Sequence, residues 1–165
     1  WQSIIKFFIM FPLYTVASYI FEKYKVEFGT TIDEMKLHKL LYFAQRESII
    51  QTGNPLFDAT FRGWKYGPIL KEIRESYKNN SFVPVTSSSD INEMAPIIDT
   101  VFEQYAEKDS WSLSRLTHGE YSWKKSREGV PENINSDKPI NVEDIRIDAG
   151  RVKARRELLE QLGLS

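Results

Sequence analysis

The sequence MKLHKLLYFAQ, residues 35–45, decides the fold of this chain. A first apolar stripe recurs there at offsets of three and four, the spacing of one buried helical face: Leu37, Leu40, Leu41, Ala44 and Ser48. A second apolar face carries Tyr42, Phe43 and Ile49. A helix that is apolar on two sides packs against neighbours on both of them, so the pattern predicts a central helix.

The ends of this central helix are also marked in the sequence. Thr31 and Glu34 have the spacing of a capping box, and Gly53 suits the left-handed residue that follows a helix. The predicted helix is therefore about twenty residues long, or roughly 30 Å. A helix of that length spans a small domain.

An aromatic turn, GWKYGP at residues 63–68, follows the central helix. Asn54 and Pro55 predict a turn before it, and Pro68 suits the first turn of a new helix. Trp64 and Tyr66 would then lie at the mouth of that helix. Two interpretations stay open for these rings, because large aromatic side chains either fill a core or anchor an interface.

Several motifs occur in the same order as in a known family. The chain resembles the Panacea domain, the SocA-like antitoxin domain that also occurs in phage-associated GepA proteins. The resemblance covers about residues 14–127 and rests on MKLHKLLYFAQ at 35–45, PLF at 55–57, WKYGP at 64–68, LTH at 116–118 and Trp123. An ordered set of motifs is more specific than any one motif, and residues 128–165 lie outside it.

The resemblance implies a protein-binding function without catalysis. Such a domain neutralises a toxin protein encoded beside it, and an adaptor role that delivers the toxin to a cellular protease is also implied. We therefore expect a non-enzymatic antitoxin that uses no cofactor or metal. The candidate partner-binding residues that follow from the matched motifs are Trp64, Lys65, Tyr66, Gly67, Pro68, His118 and Trp123.

The expected fold is mainly α, within the α+β class. It is a compact helical domain with a long central helix and a minor two- or three-stranded sheet, formed by residues 1–165 as a single domain. A chain of 165 residues can bury roughly 70% of its unfolded surface, which is enough for a sizeable core. The absence of cysteine excludes a disulfide scaffold and thiolate zinc sites, and it fits a cytoplasmic protein.

The charge balance bears on the partner class. Twenty-two basic and 23 acidic residues give a net charge of -1, whereas nucleic-acid binding draws on an excess of Lys and Arg. Nucleic acid is therefore an unlikely general partner. A phage or plasmid DNA-binding regulator stays open as an alternative, although the sequence shows no helix-turn-helix pattern.

The N-terminal region raises the question of a membrane segment. Residues 7–21 carry no charge, but a spanning helix needs about 20 apolar residues and Pro12 interrupts this run. The pattern instead predicts an amphipathic helix that begins near Pro12 and packs on the central helix through Val16, Tyr19, Ile20 and Tyr24. We expect no membrane association, and residues 1–11 receive no assignment.

Three further helices are predicted before residue 120. The first covers residues 69–77, and the second has Asp90 and Glu93 as caps and Pro96 in its first turn. The third is a short helix that Ser110 caps and that ends near Gly119. A polar loop at residues 79–90 separates the first two.

The two histidines allow an enzymatic alternative. His38 stands beside Lys39 and is predicted to be exposed, whereas His118 is the better candidate for titratable chemistry. The alternative is a small His118-dependent hydrolase or nucleotide-binding enzyme in which Arg62 and Lys65 bind an anion. No Gly-x-Ser-x-Gly, phosphate-binding glycine loop or His-Glu-x-x-His motif accompanies either histidine, so a structural or recognition role is favoured.

The C-terminal region combines a polar connection with a basic amphipathic helix. After residues 129–139, Asn141 could cap a helix that docks through Val152, Leu158, Leu159 and Leu162. The order Lys153 before Glu157 is the less favourable one for helix electrostatics. Either a solvated face or a handle for an acidic partner explains the basic cluster, whose candidate residues are Arg151, Lys153, Arg155 and Arg156, preceded by Arg146.

Overall fold

The long helix that the sequence predicts is the centre of the fold. The computed structural model describes residues 10–164, and within them the protein is mainly α with one small antiparallel sheet, as predicted. The elements in order are α1 (Leu13–Phe28), α2 (Glu34–Thr52), β1 (Arg62–Trp64), β2 (Gly67–Ile69), α3 (Lys71–Lys78), α4 (Ser88–Val101), a π-helical turn (Phe102–Ala106), α5 (Ser110–His118), α6 (Tyr121–Ser126) and α7 (Val142–Gln161).

The central helix α2 is buried on all sides over most of its length. Every residue from Lys36 to Ile49 is buried, including the polar ones. The buried surface of the helix is therefore larger than the two apolar faces that the periodicity predicts. Its C-terminus is as expected, because Gly53 has a φ of 80° and donates its N–H to Ile49 O at 2.9 Å. The other helices therefore have to pack around α2.

The N-terminal cap of α2 differs from the predicted capping box. Asp33 is the cap, and its Oδ1 accepts from Lys36 N at 2.8 Å. Glu34 is the first residue of the helix and points its carboxylate to His38 and Arg74 instead. The prediction that pairs Thr31 with Glu34 is wrong because the chain offers a better-placed acceptor one residue before the helix.

Helix α1 confirms the predicted amphipathic helix. It begins after Pro12 and buries Val16, Ile20 and Tyr24 against the core, whereas Tyr19 is partly buried. Within residues 10–164 no helix combines the length and the apolar character that crossing a bilayer requires. Of the unassigned residues 1–11, residues 1–9 lie outside the described part, whereas Phe11 is buried and its N–H binds Leu56 O at 2.9 Å.

Two prolines lie elsewhere than their local sequence predicts. Pro96 lies inside α4 rather than in its first turn, because Ser87 caps this helix by accepting from Asp90 N at 3.3 Å. Pro68 lies in β2, and the following helix begins only at Lys71. Pro68 lies opposite Gly63 in a hairpin, whereas Pro96 removes one backbone hydrogen bond from the interior of α4.

The small sheet is a tight hairpin. Strands β1 and β2 are antiparallel with Trp64 opposite Gly67, so Lys65 and Tyr66 form the two-residue turn. A third strand is reduced to one isolated bridge between Arg62 and Pro139. Gly63 N donates to Lys138 O at 3.1 Å, and Ile140 N donates to Phe61 O at 2.8 Å, so residues 138–140 hold the outer edge of β1.

The last helix docks through its first half. Ile145 and Ala149 of α7 are buried in the core cluster beside Ile140. Leu158 and Leu162 are 54% and 60% exposed, so the prediction that they dock the helix is wrong. Asn141 occupies the N-cap position but makes no side-chain capping bond. The C-terminal half of α7 therefore presents apolar and basic side chains to solvent.

Matched leucine truncations test this assignment of the core. Leu40 is fully buried in α2, and Leu40→Ala should lower the free energy of unfolding by about 2–5 kcal/mol because it leaves a cavity in the core. Leu158→Ala is the control, since an exposed site should change stability by no more than about 0.5 kcal/mol. Urea unfolding followed by circular dichroism measures both. Equal losses would contradict the central position of α2.

Candidate functional site

The candidate site is built on the hairpin, which the surrounding elements hold by hydrogen bonds. Trp64 Nε1 donates to Asp137 Oδ1 at 3.1 Å, and Lys65 N donates to Asn135 Oδ1 at 3.1 Å. The guanidinium of Arg74 lies over the Trp64 ring, 4.9 Å from its centroid. Trp64 is partly buried and serves as a support for the turn.

Tyr66 is the exposed ring of the turn. It is 45% exposed and meets Trp111 of α5 edge to face, with 5.1 Å between the ring centroids and 88° between the planes. Trp111 is 54% exposed, and Lys65 Nζ lies 5.0 Å from the centroid of the Tyr66 ring. We call Lys65, Tyr66 and Trp111 the aromatic patch.

Trp111 is absent from the candidates that the sequence provides. Trp111 lies two residues before Leu113 in the short helix that the sequence predicts, and residues two apart do not share a helical face. Leu113 is fully buried, so Trp111 has to point away from the core. This spacing is the signal that could have identified it.

Gly67 and Pro68 position the turn and offer no exposed side chain. Both are buried, and Gly67 has a φ of +112°, which side-chain-bearing residues rarely adopt. A Cβ at Gly67 would lie 2.6 Å from Lys39 Cε and would also overlap Thr117 Oγ1. On the outer side, Ser114 Oγ donates to Tyr66 O at 2.6 Å.

His118 and Trp123 pack together behind the hairpin. Their rings stack with 4.2 Å between centroids, and Trp123 Nε1 donates to Trp64 O at 2.8 Å. Burial lowers the pKa of His118, against an opposing effect of the Lys65 backbone, so the ring is neutral at physiological pH. His118 also borders an open cleft of about 440 Å³ that contains Glu132, without a hydrogen bond between the two in the described part of the chain.

The anion site that the enzymatic alternative needs is not assembled. Arg62 donates its NH1 to Asp137 O at 3.2 Å, and Lys65 lies over Tyr66. The two cations therefore support the hairpin and the aromatic patch separately. His118 is a packing partner of Trp123 in this arrangement.

His38 is buried, in contrast to the predicted exposure. Its Nδ1 accepts from Leu70 N at 3.2 Å, so Nε2 carries the proton and donates to Glu34 Oε2 at 3.0 Å. Burial lowers the pKa of His38, although the hydrogen bond to Glu34 raises it in part. The neutral imidazole thus joins α2 to the chain that follows β2.

A second polar network joins α2 to the C-terminal helices. Tyr42 Oη lies 2.7 Å from Ser122 Oγ, and Asp148 accepts from Ser122 N at 2.9 Å. Arg46 binds Glu120 on the same side, and burial raises the pKa of Glu120 against the lowering effect of Arg46. This network fixes α6 and α7 relative to the candidate site.

The four candidate residues of the basic tail do not act together. Arg156 binds both carboxylate oxygens of Glu47, at 2.8 and 2.9 Å, and Arg151 lies 5.2 Å from the centroid of the Tyr121 ring. Lys153 and Arg155 are exposed and form no ion pair with residues 10–164. Arg151 is also exposed without an ion pair in this part of the chain, but its guanidinium lies over a ring, so Lys153 and Arg155 are the two candidates that contact neither a carboxylate nor an aromatic ring.

The region that contains the hairpin is similar to a known protein family. A family model described as "Antitoxin SocA-like, Panacea domain" matches residues 37–124. Antitoxin SocA of Caulobacter vibrioides (strain NA1000 / CB15N) is 35% identical over 49 residues, which are 30% of this chain and 26% of that relative. The match thus spans about a quarter of the relative's length. No solved structure matches.

Glycine substitutions test how the turn is held. Gly67→Ala should cost more than about 1–3 kcal/mol of stability, because a strained φ adds to the overlap with Lys39 and Thr117. Gly129 also has a positive φ, of +78°, but no atom lies within 4 Å of its Cβ position, so Gly129→Ala isolates the backbone strain. Urea unfolding compares the two. If Gly67→Ala is no more destabilising than Gly129→Ala, the close packing under the hairpin is wrong.

Proposed function

The chain belongs to the SocA-like antitoxin family, whose defining unit is the Panacea domain, and on this premise we propose that it neutralises a cognate toxin protein by binding it directly. We place the contact on the aromatic patch of Lys65, Tyr66 and Trp111. The observation that carries this proposal is the exposure of two large rings in contact with each other, Tyr66 (45%) on a turn whose base is buried and Trp111 (54%) on α5.

The patch has the composition of an interface anchor. Tyrosine and tryptophan are enriched among the residues that contribute most to binding free energy, and the patch brings one of each into contact. The hydrogen bonds of Trp64 and of Tyr66 O fix the turn before binding. Little conformational entropy is therefore lost on association, which favours affinity.

Helix α7 would supply the rim of the contact. Its free cations, Lys153 and Arg155, lie outside the residues that the family model matches. Charges of this kind raise the association rate of an acidic partner more than they stabilise the complex. In this proposal the patch provides affinity and the helix provides steering.

The family also supports an adaptor role, in which the bound toxin is delivered to a cellular protease. The absence of cysteine is compatible with the reducing cytoplasm in which both proteins would meet. An antitoxin that only covers the toxin leaves it intact, which we call occlusion, whereas delivery to the protease leads to degradation of the toxin. The half-life of the toxin, compared between a wild-type and a protease-deficient strain that both produce this chain, separates them, because only delivery predicts a longer half-life without the protease.

The proposal is tested with the product of the gene beside this one. Co-expression should restore growth of cells that produce that protein, and the two proteins should co-purify. Binding without growth rescue, or rescue without binding, would overturn the proposed mechanism.

Substitution of Tyr66 tests the location of the contact. Tyr66→Ala should weaken binding of the toxin more than tenfold, since truncation of an aromatic anchor commonly costs about 2 kcal/mol or more. Tyr14→Ala is the matched control, because Tyr14 is 37% exposed but lies on α1. Titration calorimetry measures affinity, and circular dichroism verifies the fold. Equal affinities for the two variants would exclude the patch.

Neutralising the free cations tests the steering role of α7. Lys153→Gln with Arg155→Gln should slow association with the toxin at low salt and leave dissociation nearly unchanged, because such charges act mainly on the association rate. The effect should shrink at physiological ionic strength, where screening limits the reach of a charge to a Debye length of about 8 Å. Stopped-flow kinetics at two salt concentrations provide the measurement. Arg156 is left intact because it binds Glu47. An unchanged association rate would make α7 a solvated face.

A further inference from the structure

A pocket of about 300 Å³ lies between the first turns of α2 and the hairpin, next to the aromatic patch. Its walls are mostly apolar and include Met35, Trp64, Tyr66 and Ile69. This volume is at the lower end of the range of about 300–1,000 Å³ for small-ligand pockets. Such pockets combine apolar walls with a few polar groups that orient the ligand.

Lys39 is a buried polar residue of this pocket whose ammonium group lacks a short hydrogen bond. The residue is only 1% exposed, and the acceptor recorded for its ammonium is Pro68 O at 3.4 Å. That distance exceeds the usual range of about 2.7–3.2 Å. Burial lowers the pKa of Lys39 to about 7, although the charges of Asp33 and Glu34 oppose this.

Two cations that line the pocket, Lys39 and Lys65, form no ion pair within residues 10–164, and Lys39 is the buried one of the two. Glu34 lies at the pocket edge but already binds His38 and Arg74 at 3.0 Å each. No carboxylate of residues 10–164 forms an ion pair with Lys39. A ligand with a negatively charged group would give the buried ammonium of Lys39 the partner that the fold does not supply.

We propose that this pocket binds a monocarboxylate borne on an aromatic or aliphatic group. The carboxylate binds Lys39, and the apolar group packs against Trp64 and Tyr66. Because Gly67 has no side chain, the end of Lys39 has room at the pocket boundary, and its flexible stem can turn the amine toward the ligand. This inference holds whether or not a toxin contacts the aromatic patch.

The carboxylate can come from a free small acid or from the C-terminal residue of a polypeptide. Titration calorimetry of the full chain with 3-phenylpropionate and with an acetylated peptide ending in phenylalanine tests the two sources. The corresponding uncharged amides are the controls, and we expect at least tenfold weaker binding for them. Equal binding of acids and amides, or no binding at millimolar concentration, would overturn the proposal.

Substitution of the lysine tests which cation is used. Lys39→Met keeps the apolar stem and should weaken binding of 3-phenylpropionate at least tenfold. Lys25→Met, at an exposed site on α1, should leave binding unchanged. In the unsubstituted protein, NMR of ¹³C-labelled lysine should show that saturation with 3-phenylpropionate raises the pKa of Lys39. An unchanged pKa would overturn the assignment even if Lys39→Met does not fold.

The dependence on pH gives an independent readout. A carboxylate prefers the protonated amine, so affinity should rise as pH falls from about 8 to about 6, while the ligand stays ionised. The other groups facing Lys39 are Asp33, Glu34 and His38 of the α2 region, Arg74 of α3 and His118 of α5. Burial lowers the pKa of both histidines, so a variant that lacks Lys39 is needed to assign the pH dependence. The Lys39→Met variant should lose this dependence.

Discussion

The complete burial of α2 is the constraint on which the rest of the structure depends. Its polar side chains lose their water, and each therefore needs a partner from another element. Gln45 binds Phe57 O at 2.9 Å and accepts from Leu56 N at 2.8 Å, which fixes the chain after Gly53. Glu47 holds α7 through Arg156 in the same way. The buried polar groups thus determine where the neighbouring segments lie.

The same constraint makes the hairpin rigid. Its inner side rests on α2 through Lys39 and His38, and its outer side is held by Asp137, Trp123 and Ser114 from later parts of the chain. These three residues follow their partners in the hairpin by 48, 59 and 73 positions, and they converge on one turn. An exposed ring on such a turn is presented in one orientation, which is the physical basis for placing a partner contact there.

Sequence patterns predicted the elements whose causes are local. The apolar stripe of α2, its stop at Gly53 and the amphipathic α1 all follow from spacing and from single-residue preferences. His38 could not be placed that way, because its partner Leu70 N is 32 residues away and a polar residue in a helix is read as exposed. Pro68 was placed in a helix because its preference for a first helical turn outweighed the hairpin pairing with Gly63, and Trp111 was missed although its spacing from the buried Leu113 is a local signal.

The buried charged residues of α2 differ in whether the fold supplies them with a partner, and this difference distinguishes residues that hold the fold together from one that can bind a ligand. Burial alone would lower the pKa of Arg46, yet Glu120 and Tyr105 raise it, so this cation is compensated within the fold. Glu47 is likewise compensated by Arg156. Lys39 sits at a similar depth but meets one distant carbonyl and an apolar pocket. Lys36 is a buried cation of the same helix without an ion pair, yet its ammonium has two acceptors, Ala106 O at 3.0 Å and Tyr24 Oη at 3.2 Å. Lys39 has a single, more distant acceptor beside an open pocket, so a ligand carboxylate would improve the hydrogen bonding of Lys39 more than that of the other buried cation.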